Sequence, residues 1–432
     1  MKEGWQTTTL GKACVLDKRQ GLHKNLPYVG LEHIESQTGR FLGSTEPLEV
    51  RSSTFKFTPK HVLYGRLRPY LNKVMLPNFS GHCSTEIFPI RPLEVSREFL
   101  HYWFLTDTTV EQISATSTGT RMPRANMNTV LNFSFSFPSP PEQQRIVAIL
   151  DVAFEGIATA RANAERNLKN ARAIFAAELD AAVQGKLTRD RDDGRLVASL
   201  IDSLAEARQA AVKQGKAKAE KAGKWDESHA EPFQIPISWR WVSLETLTVG
   251  ISDGVHKKPS YIPSGIPFVT VKNLTAGTGI SFDDLNYISR ADHEEYIKRT
   301  HPERGDILIS KDGTIGVVRA IETDVEFSIF VSVALVKPTT HNLTPYLVYA
   351  LSAPCVQSQF VHKGTALKHL YLSDLRMLRI PLPPLATQTE IVVRLDGLLS
   401  EVTRLESVYQ RKLDALDMLK HSLLHHAFSG HL

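Results

Sequence analysis

Apolar positions recur along the chain in two rhythms. Over residues 1–137 they come in short runs, such as Tyr28-Val29-Gly30-Leu31 and Glu86-Ile87-Phe88-Pro89-Ile90, broken by Pro, Gly and Asn. That pattern predicts strands with irregular loops, and one helical stretch stands out within it, from Arg97 to Ile113. From residue 138 the spacing changes to steps of three and four: Ile146, Leu150, Ala153, Ile157, Ala160, Ala164, then Ala171 and Ile174. This predicts a long helix with a heptad seam. A capping box at Ser139-Pro140-Pro141-Glu142 opens it and Gly185 stops it. Roughly 40 residues at 1.5 Å each give a rod of about 60 Å.

Both rhythms then repeat. Trp239 and Leu244 echo Trp5 and Leu10, the run from Pro267 to Leu274 echoes Pro27 to Ile34, and Ile307 to Lys311 echoes Val62 to Arg66. The loop at Gly119 recurs at Gly364, and Ile146, Gly185 and Leu187 recur 245 positions on as Ile391, Gly430 and Leu432. The second seam reads Ile391, Leu395, Leu398, Val402, Leu405, Leu416, Leu419 and Leu423, after a second capping box at Thr387 to Glu390. The seams are expected to pair through Ile146, Leu150 and Ile157 on one helix and Ile391, Leu395 and Val402 on the other. Asn167 and Lys412 interrupt equivalent slots, where a polar residue would set register. Heptads fit either direction. Antiparallel pairing is favoured because it separates the two globular units.

The expected class is α+β, with two β-rich domains, two long helices paired as an antiparallel coiled coil, and a pseudo-two-fold internal repeat. The expected divisions are 1–137 (first domain), 138–187 (central helix), 188–236 (short helix and basic linker), 237–380 (second domain) and 381–432 (C-terminal helix). Leu196, Leu200 and Leu204 support the short helix; the lysine-rich run from Lys213 to Lys221 reads as a solvated linker.

Composition narrows the picture modestly. The 432 residues are 42% hydrophobic and 22% charged, with a formal charge of +5, which leans towards nucleic acid. Cys14, Cys83 and Cys355 have no paired spacing, so buried thiols are expected rather than disulfides. The N-terminal residues lack the apolar core of a signal peptide, and the run near Ile329 to Val336 is too short to span a bilayer. A soluble, cytoplasmic protein without a membrane partner is expected.

The chain carries no phosphate-binding glycine loop, no His-Glu-x-x-His and no dinucleotide fingerprint. Its Pro-Pro pairs lack the Asp/Asn-Pro-Pro-Tyr/Phe form with which amino-methyltransferases hold a target amine. His421, His425 and His426 suit the C-terminal end of a helix dipole better than a metal, since no ligand completes a site. Basic residues among aromatics and glycines are the chemistry that remains. Arg66, Arg68, Asn72 and Lys73 lie in one loop, and Arg121 and Arg124 in another. The second repeat offers Lys257, Lys258, Lys311, Lys363, Lys368 and His369. Arginine suits guanine, asparagine adenine, and lysine phosphate.

In this order, and occurring twice, these features resemble the specificity (S) subunit of type I restriction–modification systems. The resemblance covers nearly the whole chain. It rests on Pro140-Pro141-Glu142-Gln143-Gln144-Arg145-Ile146, its counterpart Pro383-Pro384 through Ile391, and Gly305 to Gly313 (Gly-Asp-Ile-Leu-Ile-Ser-Lys-Asp-Gly). The second copy departs from the pattern with Thr387-Gln388-Thr389 in place of a Glu-Gln pair. The resemblance implies that each domain reads one half of a split, asymmetric site in double-stranded DNA, while the helices set the spacer. It also implies docking of two modification subunits that methylate adenine, and of restriction subunits. Under it the chain itself is non-catalytic and binds no cofactor; S-adenosylmethionine, ATP and magnesium belong to the partners. A reading from another class is a coiled-coil scaffold whose globular units bind proteins or glycans.

Overall fold

The computed structural model describes residues 4–189, 194–215, 231–360 and 369–432. Lys363, Lys368, the loop at Gly364 and much of the lysine-rich linker therefore lie outside the described residues. The chain is α+β, as its pattern predicts, and packs as two compact units. One comprises residues 1–167 with 407–432, the other residues 168–406. Each unit thus holds one β-rich domain together with segments of both long helices.

In the first unit, Gln6–Thr9 pairs antiparallel with Ser134–Phe137, so the domain's first and last strands close it. Between them lie two four-stranded sheets. The first has the order Cys14–Leu16, Ile87–Pro92, Val62–Gly65, Val74–Met75. In the second, Tyr28–Val29 runs parallel to Gly81–Cys83. The stretch predicted as one helix is two, Arg97–Phe104 and Asp107–Ala115. Thr106 lies between them, its hydroxyl donating back to the Trp103 carbonyl at 2.9 Å, a local bond that competes with helix continuation. Leu100, Phe99 and Phe104 are fully buried, with Phe104 stacked on Tyr64 at 4.9 Å.

The second unit repeats this plan. Arg240–Ser243 pairs antiparallel with Arg379–Leu382. A four-stranded sheet follows the order Thr248–Asp253, Val333–Pro338, Ile307–Ser310, Val318–Ala320. Ile266–Val269 runs parallel to Ser328–Ile329, as Tyr28–Val29 does to its partner. The helix expected around Leu200 runs Arg195–Lys213, burying Val197 and Leu204.

The long helices are Pro140–Val183 and Leu385–Ser429. Within each unit their segments run antiparallel. In the first unit Arg161 pairs with Asp417, and Arg145 reaches the main-chain carbonyl of Leu432. In the second, Arg172 pairs with Glu406 at 2.6 Å and Arg394 with Glu178 at 3.1 Å. Arg172–Glu406 is the Arg161–Asp417 bond with the two helices exchanged, since 245 positions separate Arg161 from Glu406 and Arg172 from Asp417.

Several seam assignments are corrected. Ile146 and Leu150 are buried in the core that holds Leu424 and Ala427, and Ile391 and Leu395 in the core that holds Leu179 and Ala182. Each thus meets the far end of the other helix rather than the partner expected for it. Val402 is buried and Ile157 half-buried. Lys412, however, is exposed and its neighbour Leu413 takes the inward position; Leu419 is 47% exposed while Leu424 and Ala427 are buried. A heptad advances 3.5 residues per turn and a straight helix 3.6, so a strict heptad drifts about 20° per repeat. Leu405, Leu416 and Leu423 remain half-buried beyond Val402, and the drift displaces the seam at Lys412 and Leu419. On the first helix Ile174 is 57% exposed and Phe175 packs instead, while Asn167 is half-buried.

The helix starts also differ from expectation. Ser139 occupies the position before the first helix, but Glu142 turns to Arg145, with two bonds at 2.7 and 2.8 Å. The second helix starts at Leu385, which places Thr387 inside it rather than at its cap. The residue common to both starts is a buried glutamine. Gln143 Nε2 donates to the Pro138 carbonyl at 2.9 Å, and Gln388 Nε2 to the Pro383 carbonyl at 2.9 Å. A second anchor also recurs: Tyr102 donates to Asp151, and Tyr349 to Asp396, each at 2.5 Å.

Lys311, a candidate for DNA contact, is 2% exposed, with its ammonium 2.7 Å from Asp253. Asp253 also takes Arg299 at 2.6 Å. Burial alone would raise the Asp253 pKa; the bond and charge of Lys311, with His256 and Arg299, hold it below the usual aspartate value.

Three variants test this packing. Leu150→Ala should cost about 2–5 kcal/mol of stability in denaturant melts, whereas Ile174→Ala, on the exposed face, should stay within about 0.5 kcal/mol. Asp253→Asn should cost about 3–5 kcal/mol at neutral pH by leaving Lys311 buried without its counter-ion. A carboxylate with a depressed folded pKa contributes stability above its unfolded pKa and loses it as pH falls through the folded value. The wild-type advantage over Asp253→Asn should therefore hold at neutral pH and shrink below about pH 4 in melts across a pH series.

Candidate nucleic-acid interface

The strand Val62–Gly65 pairs with Ile87–Pro92 so that Gly65 faces Ile87. One residue beyond this pair, the Arg66 amide donates to the Glu86 carbonyl at 2.9 Å, placing the two side chains on adjacent chains. The loop before the last strand then closes over them. Thr118 and Arg124 exchange two main-chain bonds of 3.1 Å, Gly119 turns the hairpin at a φ of 90°, and Leu67 bridges to Arg124. The Ala125 amide bonds to the Arg66 carbonyl at 2.9 Å and the Arg68 amide to the Pro123 carbonyl at 2.7 Å. Two basic loops far apart in sequence thus become one cradle.

Within it, the Glu86 carboxylate accepts from Arg66 Nε on one oxygen and from Arg124 Nε on the other, both at 2.9 Å. The Arg66 guanidinium lies 5.1 Å from the Phe88 ring centre. Arg68 and Arg121 are exposed and have no carboxylate partner among the described residues. Arg68 holds a left-handed backbone at φ 53°, a conformation that costs on the order of 1 kcal/mol and clusters at functional sites. Tyr70 beside it is 52% exposed.

Two candidates of this loop have other tasks. Asn72 is 1% exposed, and its amide nitrogen points to Gln37 at 3.5 Å. The Lys73 ammonium donates to the carbonyls of Leu31 (2.7 Å) and Ile34 (2.8 Å), tying the strand end to the short helical turn Leu31–His33. Neither presents a free edge to a base.

The second domain builds the same cradle with different side chains. Asp312 bridges to His369 as Leu67 does to Arg124, and the Leu370 amide donates to the Lys311 carbonyl at 3.0 Å. The Lys311 amide bonds to the Ser332 carbonyl at 2.7 Å, which puts Ser332 where the first domain has Glu86. His369 Nδ1 is bonded to Asp312, and its ring meets Tyr371 edge-on at 4.7 Å. Lys257 and Lys258 are exposed, with the Lys258 ammonium 5.8 Å from the Tyr261 ring centre. Arg299 stands 3.2 Å from His256. Glu86, Phe88 and Arg299 carry no motif in the sequence; the register of the paired strands would have been needed to find the first two. The described residues contain no cluster of His, Cys, Asp and Glu fit for a metal ion. No described helix is long and apolar enough to cross a membrane.

Residues 18–166 and 256–413 match the family described as type I restriction modification DNA specificity domain. The chain is 30% identical over 168 residues to the EcoDI specificity subunit of Escherichia coli, covering 38% of each protein. It is 25% identical to the EcoBI specificity subunit over 74% of its own length and 63% of the relative's. To the EcoKI specificity subunit it is 22% identical over its full length and 90% of the relative's. The chain thus spans less than two thirds of the first two relatives and most of the third. Among solved structures, a chain from a study of complex assembly and conformational transition of the type I R-M system shares the fold. It superposes with a TM-score of 0.70 at 21% identity, covering 100% of this chain and 99% of that one. The HsdS subunit from Thermoanaerobacter tengcongensis gives 0.52 at 21% identity, with 100% and 98% covered. With the family match spanning both repeats, the chain belongs to the DNA specificity subunits of type I restriction–modification systems.

Proposed function

We propose that each domain reads one half of a bipartite, asymmetric sequence in double-stranded DNA. The observation that supports this most is the repeated cradle: the same strand end and the same bridge in both domains, each lined with basic or imidazole side chains. Arg66, Arg68, Arg121 and Arg124 meet one half-site; Lys257, Lys258, His369 and Arg299 meet the other. Phosphate contacts supply most of the attraction and a few base-edge contacts supply sequence preference. The paired helices set the spacer and dock two modification subunits, with restriction subunits joining the assembly. This chain directs chemistry done elsewhere; S-adenosylmethionine, ATP and magnesium act on those partners, where adenine is methylated. Half-sites read from one face of the duplex lie about one helical turn, 34 Å, apart.

Replacing residues 1–137 with the matching unit of a relative should change one half of the methylated motif and leave the other as it was, read by methylation sequencing. A change in both halves, or in neither, would count against one domain per half-site. In gel shifts, wild-type affinity should fall steeply with salt. The double variant Arg68→Ala, Arg121→Ala should lower the salt slope by about 1–2, and a salt-independent or absent shift would favour a protein or glycan scaffold.

A further inference from the structure

The three side chains at the heart of the first cradle all change in the second. Arg66 corresponds to Lys311, Arg124 to His369 and Glu86 to Ser332, each fixed by an equivalent main-chain bond or bridge. We infer that the Glu86-clamped pair Arg66 and Arg124 reads a guanine in the half-site met by the first domain, while the second domain has no such reader at that place. The inference rests on the proposed reading of DNA and names the residues and the base that give half of it its specificity.

The geometry separates base reading from phosphate grip. Each arginine gives its Nε to one oxygen of the same carboxylate, so neither guanidinium can swing as a solvated side chain would. Arg66 is further confined by the Phe88 ring. With Nε engaged, the two terminal nitrogens of Arg66 remain as a planar fork, the shape that matches guanine O6 and N7. Arg124 also gives Nη1 to the Met122 carbonyl at 3.4 Å and keeps Nη2 for the base. The side chains are 32% and 39% exposed, so their outer edges stay reachable. A phosphate needs only a nearby positive charge, and the exposed Arg68 and Arg121, which have no carboxylate partner among the described residues, supply that without a fixed plane. Glu86 already accepts from both arginines, which leaves it poorly placed to accept from a cytosine amino group. In the second domain Lys311 is buried against Asp253, so the slot of Arg66 presents no cation there.

The deciding variants keep the charge and remove the fork: Arg66→Lys and Arg124→Lys, in the full chain assembled with its modification subunits. Binding selection from a random DNA pool, with sequencing, reads the preference at every position. The expected result is a guanine in the first half-site of the wild type, with preference there reduced about ten- to a hundred-fold in at least one variant. The second half-site should be unchanged, which also shows that the assembly remains folded. Glu86→Gln, which removes the clamp's charge, should relax the same position. Three results would overturn the inference: a wild-type first half without guanine, lysine variants with unaltered preference at every position, or a uniform loss of affinity across sequences. Absence of any bipartite preference in the wild type would instead overturn the proposed function itself.

Discussion

The pairing of each domain's first strand with its last is the constraint on which the rest depends. It fixes where the chain leaves the domain, and within three residues that chain is a long helix. A junction this short would transmit little orientation if it could swivel. Its backbone carbonyl, at Pro138 or Pro383, would also be costly to bury without a donor. The buried amides of Gln143 and Gln388 meet both needs, bonding the last carbonyl before the turn from inside the helix. Gln143 further accepts from the Ser96 amide at 2.9 Å, joining the helix Arg97–Phe104 to the same knot. The tyrosine–aspartate bonds at Asp151 and Asp396 add a second point of attachment two turns on. Two points on a helix fix direction as well as position, so each cradle is held at a set angle to the helix that carries its domain.

What the two repeats share, and what they do not, follows from this division of labour. Main-chain bonds that shape the cradle recur between equivalent residues, as do the strand closure, the glutamine and the tyrosine. The side chains lining the cradle are free to differ because the backbone does not depend on them. Lys311 shows how far that freedom runs. At the position of an outward arginine it has become half of a buried ion pair, which carries a large desolvation penalty and holds only while Asp253 stays charged.

Much of this was legible in the sequence. The α+β class, the duplication and both long helices followed from periodicity and a repeat distance, because hydrophobic spacing reports directly on which face is buried. Beyond Val402, Leu405, Leu416 and Leu423 stay half-buried, but Lys412 and Leu419 fall off the buried face since a heptad template imposes a period that these helices do not keep. Thr387 looked like a cap because threonine and glutamate had the right spacing, although the helix had already begun at Leu385. The cradles were legible only as loose basic loops. Whether a lysine faces solvent, a carbonyl or a buried aspartate is decided by residues tens or hundreds of positions away, so Lys73 and Lys311 looked the same as Arg68 from sequence alone. Glu86 was invisible for the same reason.

That distinction bears on how specificity can change in such a chain. A substitution at Lys73 or Lys311 removes a structural tether, and the cost falls on the fold of a whole domain. One at Arg68 or Arg121 alters charge at a surface with no packing to disturb. The Glu86 pair lies between these cases: both arginines share one carboxylate and are about a third exposed, so replacing one leaves the other still clamped. New preferences can then arise through intermediates that remain folded, provided the strand pairing, Gln143 and the main-chain bridge at Leu67 stay in place.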